Sequence, residues 1–222
     1  MNDSFFQNID WNVMWVATYE TLFMTVISLL FVFILGVALG LILFLTSKGN
    51  LWENKLVYGV VGAYVNIFRS IPFIILIVLL IPLTKMLVGT MIGAEAALPA
   101  LIIGTAPFYA RMVEIALREI DKGVIEAAKS MGAKTSTIIW KVLLPESKPA
   151  IISGITVTAI ALIGSTAMAG VVGAGGLGNV AYLDGFQRNQ SDVTLVATII
   201  ILVVVFIVQF IGDYFTRKTD KR

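Results

Sequence analysis

The sequence contains neither cysteine nor histidine among its 222 residues. Without cysteine there is no disulfide framework and no thiol chemistry, and without histidine the commonest general base and metal ligand are missing. A phosphate-binding loop of the pattern Gly-x-x-x-x-Gly-Lys-Ser/Thr is also absent. These absences argue against an enzyme, and they predict that any energy the protein uses comes from a partner.

Charged residues are scarce as well, at 14% of the chain against roughly 25% in soluble proteins. Hydrophobic residues make up 58%, and the mean hydropathy is +0.93. A helix needs about 20 predominantly apolar residues to span a bilayer. The sequence therefore predicts a single all-α, polytopic membrane domain over residues 1–222 with five transmembrane helices. We expect these spans at about 21–47, 56–84, 96–117, 149–172 and 193–215.

Lysine and arginine are distributed unevenly between the segments that connect these spans. With the amino terminus outside, the inner segments hold twelve of them and the outer segments hold two, Lys85 and Arg188. Cytoplasmic segments of membrane proteins are enriched in these residues. The count predicts an amino terminus outside, a carboxy terminus in the cytoplasm and a cytoplasmic loop at 118–148. The inner residues are Lys48, Lys55, Arg118, Lys122, Lys129, Lys134, Lys141, Lys148, Arg217, Lys218, Lys221 and Arg222.

The loop at 118–148 contains a spaced pattern between Glu126 and Pro145: Glu-Ala-Ala, three residues, Gly, nine residues, then Val-x-Leu-Pro. Apolar residues recur at helical spacing before the glycine, which predicts a first short helix with one apolar face. The residues of that predicted face are Ile120, Val124, Ala128 and Met131.

A second short helix is predicted after Gly132, which can adopt the left-handed conformation that ends a helix. Thr135 or Ser136 can cap this second helix, and Pro145 ends it or starts the next segment. On its own, this pair of helices also fits a DNA-binding helix-turn-helix. The membrane spans on both sides and the net charge of only +2 argue against nucleic acid.

The Glu126–Pro145 pattern resembles the EAA loop of permease subunits of bacterial binding-protein-dependent ABC importers. Three more segments, Asn66–Phe73, Ala106–Glu114 and Gly173–Gly178, look like the methionine-uptake branch of that family. The resemblance covers nearly the whole chain. Val142 stands where isoleucine is usual, a conservative departure that leaves the motif intact.

The resemblance implies a permease in the bacterial cytoplasmic membrane that imports methionine, both the D- and the L-form. Two copies of the chain would form the pathway through the lipid bilayer. Two copies of a cytoplasmic ABC ATPase would dock below it and bind the ATP and Mg²⁺, so no cofactor is expected in this chain. A substrate-binding lipoprotein would deliver the cargo from outside. The residues implied in coupling to the ATPase are Glu126, Ala127, Ala128, Gly132, Val142, Leu144 and Pro145.

Four polar or helix-breaking residues lie close together in the second span: Asn66, Arg69, Ser70 and Pro72. Proline removes a backbone donor and disfavours the helical conformation of the residue before it, so we expect a kink. Because an arginine at the bilayer centre is costly, we expect Arg69 toward the cytoplasmic third. The residues Asn66, Arg69 and Ser70 are candidates for the pathway or its gate, while snorkelling of Arg69 to the interface is the alternative.

Two further groups of residues in the spans are candidates for specific roles. Arg111 and Glu114 are three positions apart on one helix face, which predicts a structural ion pair. Met168, with Ser165 and Thr166, could line the pathway, since a methionine side chain favours an apolar, polarizable wall. Ordinary helix packing is the alternative for these three.

Two glycine patterns have structural interpretations. Gly36 and Gly40 form a Gly-x-x-x-Gly motif, which predicts a close approach of two helices within this chain. The residues Gly173, Gly175 and Gly178 match a dinucleotide-binding fingerprint, but a membrane span precedes them instead of a strand. We expect Gly173–Tyr182 to form a tight outer turn, because it is too rich in glycine for a stable helix.

Two alternatives to the methionine permease remain. The chain could be an ABC permease for another amino acid or a dipeptide. It could also be a secondary amino-acid carrier that works alone, although such a carrier has no reason to keep the Glu126–Pro145 pattern and should show an internal repeat.

Overall fold

The computed structural model describes residues 8–220, which form helices and no strand. The all-α, polytopic fold is confirmed. Four helices are long and apolar enough to cross a membrane, and a fifth crossing is possible if a sharply bent pair counts as one span. The α-helices are α1 (Trp11–Thr46), α2 (Lys55–Ser70), α3 (Phe73–Leu79), α4 (Ile81–Val88), α5 (Ala94–Arg118), α6 (Lys122–Ser130), α7 (Thr135–Ile138), α8 (Leu144–Ala169), α9 (Gly176–Val180) and α10 (Ser191–Thr219).

Helix α1 begins at Trp11, well before the expected start of the first span at 21. The Asp10 side chain accepts hydrogen bonds from the backbone amides of Asn12 and Val13, which caps the helix at this point. At 36 residues and about 1.5 Å per residue, α1 is longer than a bilayer requires. Because the additional turns are at its start, Glu20 lies within the helix and not in the segment before it.

Helices α1 and α5 form the centre of the domain. A side chain on Gly36 would overlap the ring of Tyr109, and a Cβ on Gly40 would lie 2.6 Å from Cβ of Val113. Only glycine allows this distance between the two backbones. The predicted close approach of two helices within the chain is therefore confirmed, and the partner of α1 is α5.

The second predicted span is broken. Helices α2 and α3 meet at an angle of 106°, and Pro72 lies at the break with an extended backbone (ψ 134°). The expected kink at Ser70–Pro72 is confirmed, and the segment expected as one kinked span at 56–84 is divided into α2, α3 and α4. The missing amide of Pro72 and the restriction on Ile71 before it end α2 at Ser70.

Two expectations for the loop at 118–148 are wrong. The second short helix is not separate, because α7 continues through a π-helical turn (Ile139–Leu143) into α8, so that Thr135–Ala174 counts as one span-length helical segment. The π-helical turn lies immediately before Pro145, whose missing amide interrupts the α-helical hydrogen bonds. Neither Thr135 nor Ser136 caps α7, since Lys134 occupies the cap position without a side-chain hydrogen bond.

The expected outer turn at Gly173–Tyr182 is also wrong. The chain breaks at Gly173 and Gly175, which have positive φ angles of 98° and 78°, and then becomes helical again in α9 and a π-helical segment, Ala181–Gln187. Helix α1 stabilises the start of α9, because Glu20 and Thr21 accept hydrogen bonds from its first amides at 2.6 and 2.9 Å. These tertiary hydrogen bonds override the low helix propensity of glycine.

Candidate functional site

Helix α6 divides the predicted coupling residues between three faces. Ile125 and Ala128 are buried against α7 and the carboxy-terminal ends of α1 and α5. The predicted apolar face is therefore divided, because Ala128 is buried whereas Val124 and Met131 are exposed. Ala128 is 5% exposed, so it holds the helix to the domain and offers no contact surface.

The exposed residues of α6 form two flanks of different chemistry. Val124, Ala127 and Met131 recur at i, i+3 and i+7 and form an exposed apolar flank, in which Met131 is 81% exposed. The other flank is charged and carries Lys122, Glu126 and Lys129, also at helical spacing and also exposed. Glu126 and Ala127, adjacent in the motif, therefore face different sides of the helix.

The remaining motif residues shape the ends of this loop. Gly132 has a φ of 76°, a conformation that favours glycine, and it lies in the turn between α6 and α7. Val142 and Leu144 are half-buried and pack on the same cluster as Ala128. Pro145 is exposed in the first turn of α8. The arrangement is a short amphipathic hairpin whose second arm is the start of a membrane helix.

A charged network joins α2 and α5. The buried Glu114 carboxylate, 1% exposed, pairs with Arg111 and with Arg118, each at 2.6 Å. Arg111 also donates to the amide oxygen of Asn66 at 2.8 Å, and Arg118 donates to the hydroxyl of Tyr58 at 3.2 Å. Arg118 and Tyr58 were missed from the sequence, although Glu114 and Arg118 have the i, i+4 spacing of a helix pair. Asn66 therefore has a structural partner.

A cavity of about 360 Å³ lies where α2, α3, α5 and α8 meet. Arg69 lies at its edge, with its guanidinium carbon 5.8 Å from the centre of the Phe108 ring. Within residues 8–220 no carboxylate pairs with Arg69. Ser165 of α8 and Thr105 of α5 also line the cavity, and we call it the Arg69 cavity.

The structure separates the three candidates on α8. Ser165 lines the Arg69 cavity and donates to the Ala161 carbonyl at 3.2 Å. Thr166 is 1% exposed and donates to the carbonyl of Ile163 at 2.7 Å, so it packs inside the chain. Met168 is 51% exposed and lies outside the lining of the cavity.

The last pathway candidate on α2, Ser70, is exposed at the end of the helix and donates to the carbonyl of Asn66 at 2.8 Å.

No group of three acidic side chains that could hold a metal ion occurs in the described part of the chain.

Comparisons with known proteins agree with this geometry. Residues 33–221 match the family model described as "Binding-protein-dependent transport system inner membrane component". The chain is 70% identical to the methionine import system permease protein MetP of Bacillus subtilis, with all of both chains covered. It is 47% identical to the probable D-methionine transport system permease protein MetI of Pasteurella multocida, over 96% of this chain and 98% of the relative.

Solved structures show the same fold. An inward-facing conformation of the MetNI methionine ABC transporter matches with a TM-score of 0.93 and 44% identity, over 96% of this chain and 100% of that one. A chain from an amino acid ABC transporter crystallised with histidines matches with a TM-score of 0.79 at 20% identity, over 98% of this chain and 100% of that one. This second likeness concerns the fold alone.

Proposed function

This chain belongs to the family of binding-protein-dependent transport system inner membrane components, and from that premise we propose that it is the permease subunit of an ATP-driven methionine importer. It is a membrane transport subunit and not an enzyme. The substrate rests on relatives that match over 98–100% of their length and are named for methionine or D-methionine transport. The proposed substrates are therefore L- and D-methionine.

The observation that supports ATP-driven transport best is the amphipathic hairpin of α6 and α7. The surface of the hairpin that faces away from the rest of the domain has exposed apolar side chains, among them Met131 and Trp140, which are 81% and 71% exposed. In a cytoplasmic loop such side chains mark a docking surface for another protein. Its inner surface packs on the helix ends, and α7 continues into α8. Movement of a docked ATPase would thus pass directly to a membrane helix.

The remaining partners follow from the same proposal. Two copies of a cytoplasmic ABC ATPase bind ATP and Mg²⁺ and dock on the hairpins, and a substrate-binding lipoprotein delivers methionine on the outer side. A second copy of this chain completes the pathway. Arg69, exposed in a membrane-spanning region, supports this arrangement, because a charged side chain there must face protein or water instead of lipid.

The proposed orientation places the amino terminus outside and the carboxy terminus in the cytoplasm. It is supported by the Lys and Arg count, which includes Arg217 and Lys218 in the last turn of α10. Lys221 and Arg222 contribute to the same count and lie outside the described residues.

The test is uptake of radiolabelled methionine into proteoliposomes that contain this chain, its ATPase and its binding protein. We expect ATP-dependent uptake that is lost in a Glu126→Arg, Gly132→Asp double variant. Met86→Gln, an exposed position on α4 far from the loop in sequence, serves as the control and should transport normally. Uptake of another amino acid instead would overturn the substrate, and uptake by this chain alone on an ion gradient would overturn the importer.

A further inference from the structure

We propose that the Arg69 cavity is a transient binding site for the amino acid during its passage, in which Arg69 holds the substrate's carboxylate. The inference rests on the proposed function and adds a place and an orientation for the substrate inside the permease.

The first argument is the difference between Arg69 and the other two arginines of this region. Arg111 and Arg118 both pair with Glu114, so one carboxylate serves two cations. Arg69 has no carboxylate in the described chain, and its guanidinium lies over an aromatic ring. Because arginine keeps its charge under all ordinary conditions, this region carries an excess of positive charge. A small anionic group is the complement that it lacks.

The second argument is the shape and lining of the cavity. Its volume of about 360 Å³ lies in the range of small-molecule sites, roughly 300–1,000 Å³. Phe73, Leu76 and Phe108 provide an apolar wall, and aromatic rings make favourable contacts with a thioether sulfur. The hydroxyl of Ser165 donates to a backbone carbonyl, so its oxygen remains able to accept a hydrogen bond from the substrate's ammonium.

The third argument is the position of the cavity relative to the moving parts. Arg69 is in the last turn of α2, directly before the 106° break to α3. Ser165 is on α8, which continues from the α6–α7 hairpin. A displacement of α8 against α2 would change the distance between the wall that carries Ser165 and the cation. The site would therefore form and open with the transport cycle, as a weak transient site requires.

The experiment measures L-methionine binding to the purified permease–ATPase complex in lipid nanodiscs without nucleotide, by saturation-transfer NMR and by competition. We expect wild type to bind methionine weakly, and methioninol, which lacks the carboxylate, not to compete. Arg69→Gln should weaken binding at least about tenfold, because a charge-assisted, bidentate contact is lost. Arg69→Lys should retain part of the affinity, since it keeps the charge but not the planar fork.

Matched variants separate the site from a general disturbance. Arg217→Gln removes an exposed arginine at the far end of α10 and should bind like wild type. Ala161→Leu adds volume on an exposed lining residue of the cavity and should weaken binding. Val157→Leu, one turn earlier on the same helix and also exposed, should not. A monodisperse complex is required of each variant.

The proposal is overturned if wild type shows no methionine binding, if methioninol competes as well as methionine, or if Arg69→Gln binds like wild type. A loss of the two-copy assembly in Arg69→Gln with methionine binding intact would also overturn it, since Arg69 would then pair with the second copy. ATP-driven uptake by the wild-type complex is measured in parallel. Absent uptake would refute the proposed function, whereas normal uptake by Arg69→Gln would refute only this site.

Discussion

Met131 is the side chain of the hairpin whose removal tests docking with the least effect on the permease itself. It is 81% exposed, so it makes little contact within the chain and its replacement should leave stability nearly unchanged. Gln has almost the same length and volume as Met but gains little from burial. Fully burying a methionine stabilises by about 1.5–3 kcal/mol. If the ATPase covers Met131, Met131→Gln should weaken docking by about 2 kcal/mol, or roughly thirtyfold in Kd.

The assay is the affinity of the detergent-solubilised permease for its immobilised ATPase, measured by biolayer interferometry. Met86→Gln is the matched control, because Met86 is 75% exposed on α4 and far from the loop in sequence. We expect its Kd to equal that of wild type. An unchanged Kd for Met131→Gln, in a variant that is well folded, would refute docking through the apolar flank of α6. A higher Kd for both variants would point to a general loss of the fold instead.

Three further changes test the packing that supports the sites. Glu114→Gln should lower stability by about 3 kcal/mol, because two arginines lose their buried carboxylate, and thermal unfolding should show this while the exposed Glu119→Gln stays near wild type. Gly36→Val should lower the free energy of unfolding by about 1–3 kcal/mol, because it forces α1 away from α5, and thermal unfolding measures this too. Gly59→Val is the control: a Cβ at Gly59 has no heavy atom of the described residues within 4 Å, so the free energy of unfolding should change by no more than about 0.3 kcal/mol. Glu20→Ala should expose the first amide of α9, that of Gly176, and speed its hydrogen exchange, and unchanged exchange there would refute the capping role.

The helical membrane fold was predictable because its signals are local and strong. Long apolar stretches can satisfy their backbone polar groups in a bilayer only as helices. The break of the second span was equally readable, since Pro72 removes an amide wherever it is placed in a helix. The position of the hairpin's turn was predictable, because glycine readily adopts the positive φ angle that ends a helix, and Gly132 has that angle in the structure.

The wrong expectations share a cause, which is that each depends on what lies beside the segment. The apolar residues of α6 were predicted to share one face, but Ala128 is buried with Ile125 while Val124 and Met131 are exposed, because α7 and the ends of α1 and α5 cover only part of the helix. The glycine-rich segment after α8 was expected to be a turn. It becomes helical because two side chains of α1, more than 150 positions earlier, accept its first amide hydrogens.

By itself, the sequence determined that this protein is an all-helical membrane domain, where its kink and its hairpin turn fall, and which family it resembles. These properties follow from hydropathy, charge and single residues with restricted backbones, all of which act over a few positions. Only the tertiary structure decided which flank of α6 is exposed, that Glu114 serves two arginines and that Arg69 pairs with no carboxylate of residues 8–220 beside a cavity. Such properties depend on distances between helices, and a pattern along one helix contains no information about its neighbours.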